Sequence, residues 1–335
     1  MEPEFIINKT GNGKLVHLCY EPGPSSCIME ITPSTIRTFL YVFIGSTLSV
    51  LTISGNLLVI TSIVYFKQLH TPTNYLILSL AMADLLLGAL VLQFNLALSV
   101  QSCLYFGDLV CKMRRSFDIS LVMASIMNLC CISIDRYYAV CQPLSYRTKM
   151  NGRVVLIMIL VSWTASALSG FGIIFVGLKN TVCEGRCFIF HIPNSNVFGS
   201  VVSFYLPVII MLCIYLKIFI VAQRQARSIH NTTCRSTKSG AAVSKMEKKA
   251  TKTLATVMGV FLFCWMPFFL YLSFHSVSDY SIPPHVFEAF TWLGWSNSML
   301  NPFVYAFFYR WFRAALRIII SGKIFSGNFR NSKLL

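Results

Sequence analysis

Two aspartates fall deep inside long apolar stretches of the chain, and they are the strongest candidates for a functional site. Asp84 and Asp118 lie among residues apolar enough to be buried in a lipid bilayer. A carboxylate there is costly, so it either takes up a proton or meets a cation. No Lys or Arg deep in another apolar stretch offers Asp118 a fixed partner. Asp118 is therefore either a counter-ion for a ligand amine or a protonated Asp bonded to a neighbouring helix.

Aromatic residues supply candidate walls for a cation site at Asp118. Trp265, Phe268 and Phe269 flank Pro267, which kinks a helix interior, and Trp295 follows in a later apolar stretch. Ring faces stabilise a desolvated cation by up to about 2 kcal/mol. Ordinary packing explains any single Phe among 27, so only the cluster supports this interpretation. The other candidates for the ligand site are Ile119, Val122, Ser200, Ser203 and Thr291.

A second polar cluster is expected around Asp84. Ser125, Asn297, Ser298 and Asn301 are predicted at the same membrane depth in other apolar stretches. Their oxygens could hold a hydrated cation such as Na+, or they could form a water-filled network around a protonated Asp. Both alternatives stay open. The sequence indicates no other cofactor, no metal cluster and no catalytic residues.

Seven apolar blocks must position these residues. Of the 335 residues, 55% are hydrophobic and only 12% are charged, about half the charged fraction of a soluble domain. Each block can cross a bilayer, and backbone groups in lipid must pair within their own segment, so each is predicted to be a helix. We therefore predict an all-α membrane protein, a seven-transmembrane helix bundle. Its spans lie roughly at 38–65, 74–100, 109–134, 154–177, 196–222, 251–275 and 284–308.

The remaining segments complete the organisation. Residues 1–37 are predicted to be an extracellular N-terminal segment, residues 38–308 the bundle, and residues 309–335 an amphipathic helix with a short cytoplasmic tail. From Arg310 to Ile320, basic and apolar residues alternate at helical spacing, which is typical of a helix on the membrane surface. The polar stretch 223–250 is the predicted inner loop between the fifth and sixth spans.

The basic residues orient the bundle. The net charge is +16, and twenty of the 28 Lys and Arg fall on one side of the predicted spans. Cytoplasmic loops carry such an excess, so we predict a plasma-membrane protein with the N-terminus outside and the C-terminus inside. Membrane lipid is an expected partner, and nucleic acid is not, because no soluble basic face is present. Asn8, in Asn8-Lys9-Thr10, is then an outer glycosylation site, whereas Asn231 lies inside and is predicted to stay bare.

Short motifs, one set per predicted span, follow one another along the chain. They are Gly55-Asn56, Leu80-Ala-Met-Ala-Asp84, Asp135-Arg136-Tyr137, Trp163, Pro207 with Tyr215, Cys264-Trp265-Met-Pro267 and Asn301-Pro302-Phe-Val-Tyr305. With these motifs the chain resembles the rhodopsin-like family of G-protein-coupled receptors over nearly its whole length.

Longer stretches narrow the resemblance. The residues from Lys67 to Asn74, from Ile134 to Cys141 and from Asn297 to Phe312 are similar to those of trace amine-associated receptors, and so is Gly322-Lys-Ile-Phe325. These receptors belong to the aminergic branch of the family. The resemblance implies a small volatile or trace amine as ligand and an olfactory role. It also implies a stimulatory G protein, which raises cyclic AMP, as the partner.

The resemblance assigns roles to individual residues. Asp118 would form a salt bridge with the ligand amine, and Trp265 would sense the ligand beneath it. Arg136 would contact Glu247 and its own neighbouring Asp at rest, and would then swing to meet the G protein. The expected switch residues are Asp135, Arg136, Tyr137, Tyr215, Glu247, Pro302 and Tyr305.

Six of the twelve cysteines fall in outer segments, where disulfides persist. Six cysteines allow fifteen pairings, and the sequence alone does not choose among them. The resemblance implies a bond from the third span to Cys187 and another from Cys183 to the N-terminal segment, where we choose Cys19 over Cys27. The expected disulfides are therefore Cys111–Cys187, Cys19–Cys183 and Cys27–Cys103.

Two departures from the aminergic pattern concern the helices around the site. Trp295 stands where aminergic receptors usually have a Tyr that hydrogen-bonds the Asp; the indole N–H can still donate, but the ring is bulkier. The second span lacks its usual outer Pro and reads Leu92-Gln93-Phe94.

The third departure is a pair of arginines. Arg114 and Arg115 lie four and three residues before Asp118, on its face of the helix. They either repel amines, meet a ligand carboxylate, or pair with Glu184 or water.

The fifth span indicates how many positive charges the ligand carries. Polyamine-sensing relatives carry a second acid there, but this chain has Gly199, Ser200 and Ser203. A monoamine is therefore favoured over a diamine, unless Glu288 or Asp279 meets the second charge.

A membrane transporter or channel for organic cations is the main alternative function. Against it, the spans show no inverted repeat and no matching pair of broken helices. A light sensor of the same fold would need a Lys in the seventh span, and residues 284–308 contain none. An enzyme would need a nucleophile with its base or a metal cluster, and neither is visible.

Overall fold

Long apolar helices dominate the computed structural model, which describes residues 6–9, 15–18, 28–29, 35–100, 108–175, 199–232, 256–274 and 284–322. Within these residues, six helices are long and apolar enough to cross a membrane. Each coincides with a predicted span, and we number them in chain order as the first to sixth spans. They are Tyr41–Tyr65, Pro72–Ala97, Leu109–Cys141, Gly152–Gly172, Val201–Arg224 and Thr256–Phe274.

The seventh span is the helix Pro284–Phe308, whose ends match the prediction. Asn297, Ser298 and Asn301 lower its hydropathy, and their side chains are buried rather than exposed to lipid. The helix packs against the first span. The chain is therefore a seven-helix membrane bundle, as the sequence predicts.

Several helices continue beyond their apolar windows. The first begins at Thr35, the fourth runs over Gly152–Phe175, and the fifth continues as Leu206–Thr232 into the predicted inner loop. The third is the helix Asp108–Cys141, which passes its predicted end at residue 134. The prediction ended too early because the inner turns carry polar residues, although their backbone remains helical.

The second span is not a uniform α-helix. It consists of Pro72–Leu86, a π-helical turn at Leu87–Leu92, and Gln93–Val100. Thr71 caps its start, where its side chain accepts a hydrogen bond from the Asn74 backbone N–H at 3.3 Å. The π turn interrupts the α-helical hydrogen-bonding pattern in the outer half of the span.

Shorter helices cover the inner side. Pro143–Lys149 follows the third span, and Arg310–Ile320 follows the seventh. The latter buries Trp311 and Phe312 against the bundle. Arg313 Nη1 donates to the Ala306 and Phe307 carbonyls at 2.9 and 2.8 Å, which satisfies the C-terminal end of the seventh span. The helix predicted from Arg310 to Ile320 is thereby confirmed, whereas its position on the membrane surface stays a prediction.

Three short strands in the N-terminal segment were not predicted. Ile6–Lys9 pairs antiparallel with Leu15–Leu18, which pairs antiparallel with Ile28–Met29. They are too short to register as alternating patterns in a segment of mixed composition.

The third span is the centre of the bundle, since it packs against the second, fourth and fifth spans. The fourth span approaches the third closely at Gly170. A Cβ atom there would lie 2.0 Å from Ser120 Oγ and 2.4 Å from the Ser116 carbonyl oxygen. Only glycine therefore allows this approach. The face of the third span that carries Ser116 and Ser120 is thus packed against the fourth span, and the opposite face is directed towards the rest of the bundle.

Candidate functional site

Asp118 is buried in the outer half of the third span, and its two carboxylate oxygens have different partners. Trp295 Nε1, from the seventh span, donates to Oδ1 at 3.0 Å. Arg115 Nη1 lies 3.5 Å from Oδ2. Only 9% of the Asp118 side chain is exposed. The structure thus joins Asp118 to the seventh span through the residue that replaces the usual tyrosine.

The ion pair with Arg115 does not conflict with the expectation that no Lys or Arg deep in another span pairs with Asp118. That expectation considered only residues in other spans, whereas Arg115 lies one turn outward on the same helix. Arg114 takes a different direction: Nη1 donates to Asn95 Oδ1, and its guanidinium lies 5.8 Å from the Phe94 ring centre. Glu184, a predicted partner of the arginines, lies outside the described residues.

The aromatic residues predicted as pocket walls form one packed cluster. Trp265 lies 5.8 Å from Phe268 and 5.9 Å from Phe269, between ring centres. Phe204 of the fifth span stacks on Phe269 at 4.1 Å, and Phe287 lies 5.5 Å from Phe268. The sequence analysis missed the last two rings, because nothing distinguishes them from the other phenylalanines along the chain.

Within the part of the chain that the structure describes, the remaining ligand candidates form no hydrogen bond with Asp118. Ile119 and Val122 are partly buried on the same span. Ser203 Oγ and Thr291 Oγ1 each donate to a carbonyl four residues earlier, at 2.6 and 2.8 Å. Ser200 is buried. The hydroxyls of Ser203 and Thr291 are therefore engaged within their own helices.

Glu288 was considered as a second acid for a diamine ligand, but its carboxylate bonds to another residue. It is exposed at the outer end of the seventh span, and Tyr41 of the first span donates its hydroxyl to Glu288 Oε2 at 2.8 Å. Asp279, the other acid considered for a second ligand charge, lies outside the described residues.

Asp84 is fully buried at the centre of a polar cluster. Its carboxylate accepts hydrogen bonds from Ser125 Oγ at 2.9 Å, Ser298 Oγ at 2.7 Å and Asn301 Nδ2 at 2.8 Å. Asn297, predicted with them, is buried but does not bond to Asp84, and its Oδ1 has no hydrogen-bond partner. The hydroxyl and carboxylate oxygens of this cluster are suitable ligands for a hard cation such as Na+. Elsewhere in the described chain, no group of three His, Cys, Asp or Glu could hold a metal ion.

At the inner end of the third span, Asp135 and Arg136 form a closed network. Asp135 accepts from Arg136 Nε at 2.9 Å, from Thr73 Oγ1 at 2.8 Å and from the Tyr146 hydroxyl at 2.9 Å. Arg136 also donates to Thr73. Burial raises the pKa of the Tyr146 hydroxyl above its ordinary value. Thr73 and Tyr146 were missed by the sequence analysis, and Glu247 lies outside the described residues.

Two further switch candidates, Tyr215 of the fifth span and Tyr137 of the third, make contacts between these two spans. The Tyr215 hydroxyl lies 3.0 Å from Ser133 Oγ. The Lys217 ammonium lies 5.4 Å from the ring centre of Tyr137. The fifth span is thus held against the inner half of the third by polar contacts as well as by packing.

The seventh span meets the first at its proline. A Cβ atom on Gly55 would lie 3.0 Å from Pro302 Cγ, so the glycine admits the ring. Asn56 Nδ2 donates to the Ser298 carbonyl at 3.1 Å. Tyr305 is buried below this contact, with its ring centre 5.9 Å from that of Tyr309.

Cys111, at the outer end of the third span, is disulfide-bonded. Cys187, its predicted partner, lies outside the described residues, and so do the other predicted pairs, Cys19–Cys183 and Cys27–Cys103. The free cysteines of the described chain are Cys130, Cys131, Cys141, Cys213 and Cys264.

Comparison with known proteins agrees with this architecture. The model of the 7 transmembrane receptor family (rhodopsin family) matches residues 55–305. The chain is 45% identical over 324 residues to trace amine-associated receptor 1 of Macaca mulatta, covering 92% of this chain and 95% of that one. It is 43% identical to the Homo sapiens receptor 1, covering 96% and 98%. It is 42% identical to trace amine-associated receptor 4 of Mus musculus, covering 95% of each.

Proposed function

Because the chain belongs to the rhodopsin family of seven-transmembrane receptors, and within it to the trace amine-associated receptors, we propose that it binds small volatile or trace amines at Asp118. The observation that supports this most directly is the buried carboxylate, whose Oδ1 is held by Trp295 at 3.0 Å. The family is one of multi-pass plasma-membrane receptors rather than enzymes. A cation transporter, the earlier alternative, is therefore not proposed.

In this proposal, the ligand ammonium binds the Asp118 carboxylate. A charge-assisted hydrogen bond in a desolvated site is stronger than a neutral one. Trp295 holds the carboxylate in place, so little side-chain entropy is lost when the ligand arrives. The ring faces of Trp265, Phe268 and Phe269 then stabilise the cation and the apolar part of the ligand.

The ligand carries one ammonium group rather than two. The fifth span offers Ser200 and Ser203 where a second acid would be needed, and Glu288 bonds to Tyr41. A second ammonium would therefore be desolvated without a counter-charge among the described residues, which is unfavourable.

The signal passes inward through Trp265. Its indole lies against Gly294 of the seventh span, where a Cβ atom would come within 2.7 Å of the ring. A ligand that contacts this ring favours one packing of the sixth and seventh spans over another, and such differential affinity is what shifts a conformational equilibrium. Pro302 and Tyr305 carry the resulting rearrangement of the seventh span.

At the inner end, the rearrangement releases Arg136. In the resting state Arg136 is held by Asp135 and Thr73, and we propose that Glu247 adds a further bond from the sixth span. Once these bonds open, the basic cleft accepts a helix of a stimulatory G protein, and cyclic AMP rises. This coupling and the olfactory role are inferred from the family.

The polar core around Asp84 supports the same transition. Ser125, Ser298 and Asn301 come from two other spans, so any movement of the seventh span changes the surroundings of the carboxylate. A Na+ ion bound there, or a proton on Asp84, would stabilise the resting arrangement.

A screen of small amines on cells that express the full chain, with cyclic AMP as the readout, tests the proposal. At least one primary amine should raise cyclic AMP, and Asp118→Ala should abolish the response while surface expression is kept. Glu288→Gln is the matched control, because it removes an outer acid that bonds to Tyr41. An amine response of unchanged potency in Asp118→Ala would refute the assignment of the site.

A further inference from the structure

Arg115 has no role in the proposed function, yet it contacts the proposed ligand-binding carboxylate. Its Nη1 lies 3.5 Å from Asp118 Oδ2, and 31% of its side chain is exposed. Asp118 is the acid that Arg115 contacts within the described residues. Because the other oxygen of Asp118 is bonded to Trp295, an arriving ammonium must share or replace the arginine at Oδ2.

Replacement has a consequence for the charge of the ligand. A simple amine would leave Arg115 without its counter-charge and would place a second cation within a few ångströms of it, which is unfavourable. A ligand that also carries a carboxylate would restore the balance, since its ammonium takes the place of Arg115 and its carboxylate takes the place of Asp118. Guanidinium is well suited to such a group, because its planar N–H donors match both carboxylate oxygens.

The spacing suits a compact ligand. Three residues along a helix advance about 4.5 Å, so Arg115 lies one turn outward of Asp118. The partly exposed guanidinium of Arg115 can therefore bind a ligand carboxylate at the mouth of the site while the ligand ammonium lies deeper, at Asp118. The two charges of the ligand need to be only a few bonds apart.

We propose that this receptor distinguishes among amines by a second group: amines that also carry a carboxylate, such as amino acids, bind more tightly than the corresponding simple amines, and Arg115 is the residue that selects the carboxylate. This proposal rests on the proposed role of Asp118. It also gives one function to an ion pair that would otherwise only compete with an amine for the site.

Thermal unfolding of the purified full chain in detergent tests the proposal without relying on the G protein. The probes are the common amino acids and 5-aminopentanoate, each paired with its decarboxylated or carboxylate-free amine, for example phenylalanine with phenethylamine and 5-aminopentanoate with pentylamine. A ligand that binds the folded state raises the unfolding temperature, by an amount that grows as the ligand concentration exceeds the dissociation constant. At least one amino acid should stabilise the wild type at a concentration about tenfold lower than its paired amine does.

Substitutions at position 115 then test the residue. Arg115→Gln should weaken binding of the amino acid about tenfold and strengthen binding of the paired amine, whereas Arg115→Lys should keep part of the preference. Lys112→Gln, which removes a positive charge one turn further outward, is the control and should keep all of it. The proposal is overturned if no amino acid stabilises the wild type, if the simple amines bind better, or if Arg115→Gln changes both members of a pair alike.

Asp118→Asn separates this proposal from the proposed function. It should abolish stabilisation by amino acids and amines together. If stabilisation by the amines persists in Asp118→Asn, the proposed function fails. If Asp118→Asn abolishes binding but Arg115→Gln does not alter the preference, only the inference about the carboxylate fails.

Discussion

The indole N–H of Trp295 holds one oxygen of the Asp118 carboxylate. It donates to Asp118 Oδ1 at 3.0 Å from a buried position, as expected for an indole where aminergic receptors usually have a Tyr. The wider ring also packs edge-on against Trp292, at 5.2 Å between ring centres. The donor is therefore held rigidly, which favours a fixed geometry of the carboxylate.

Trp295→Phe should lower the potency of the amine agonist about tenfold at matched surface expression. Phenylalanine keeps the ring but lacks the N–H, and a hydrogen bond to a charged group contributes about 1.5–3 kcal/mol. The measurement is a cyclic AMP concentration–response curve. Trp295→Tyr, which restores a donor, should recover part of the loss. Equal potency in the wild type and Trp295→Phe would show that the indole does not hold the carboxylate for the ligand.

The charged residues at the outer end of the third span were only partly predictable. The spacing of Arg115 and Asp118 identified their common face, because residues three apart on a helix are neighbours. It did not identify the bond, since a long arginine side chain can point to its own helix, to another span or to water. The direction of Arg114, which bonds Asn95, depends on the π turn in the second span, and that turn has no clear sequence signal.

Among the helices, the contact between the third and fourth spans depends on a single small residue. Gly170→Ala should lower surface expression and the unfolding temperature of the purified protein. Its Cβ atom would lie 2.0 Å from Ser120 Oγ and 2.4 Å from the Ser116 carbonyl oxygen, so the backbones must separate. Overpacking of this kind costs about 1–3 kcal/mol or more.

Gly172→Ala is the matched control for this substitution. It lies two residues further along the same span, and no atom is within 4 Å of the position its Cβ would take. Both variants replace Gly by Ala within the same helix, so a difference in their stability reports the difference in packing. Equal stability of the two would mean that the helices do not approach at Gly170 as described.

The inner ends of the third and sixth spans form the proposed restraint on signalling. Glu247→Ala should raise basal cyclic AMP severalfold, because Arg136 would lose its bond to the sixth span and the open state would gain population. Arg136→Ala should silence signalling while ligand binding is retained. Glu288→Gln, the loss of an acid on the outer side, serves as the control. Unchanged basal cyclic AMP in Glu247→Ala, at matched surface expression, would exclude the bridge as a restraint.

At the scale of the whole molecule, the membrane topology was the most predictable feature. A run of apolar residues long enough to cross a bilayer must be helical, whatever its partners are, so the blocks alone indicated the bundle. The ends of the helices were less predictable, because the polar turns around Asp135 and Arg136 remain helical while their side chains bond to Thr73 and Tyr146. Such bonds join residues far apart in the chain, and a single sequence does not reveal them.

The outer disulfides should tie the N-terminal segment to the loop before the fifth span. We expect Cys111 to be bonded to Cys187 and Cys183 to Cys19, with Cys27 bonded to Cys103. Peptide mapping under non-reducing conditions measures the pairs directly. Cys213, a free cysteine on the lipid-facing side of the fifth span, should be recovered unpaired. Recovery of Cys183 as a free thiol would contradict the predicted connection.

The central claim is that the negative charge of Asp118 binds the ligand amine. Asp118→Asn tests it most directly, because the amide keeps the shape of the side chain and an oxygen that can accept from Trp295, and only the charge is lost. The measurement is the concentration of the most potent agonist from the amine screen that gives half-maximal cyclic AMP, at matched surface expression. A lost buried charge pair costs about 2–5 kcal/mol, so the account predicts a loss of potency of about 30-fold or more. A potency within a factor of about two of the wild type would contradict it.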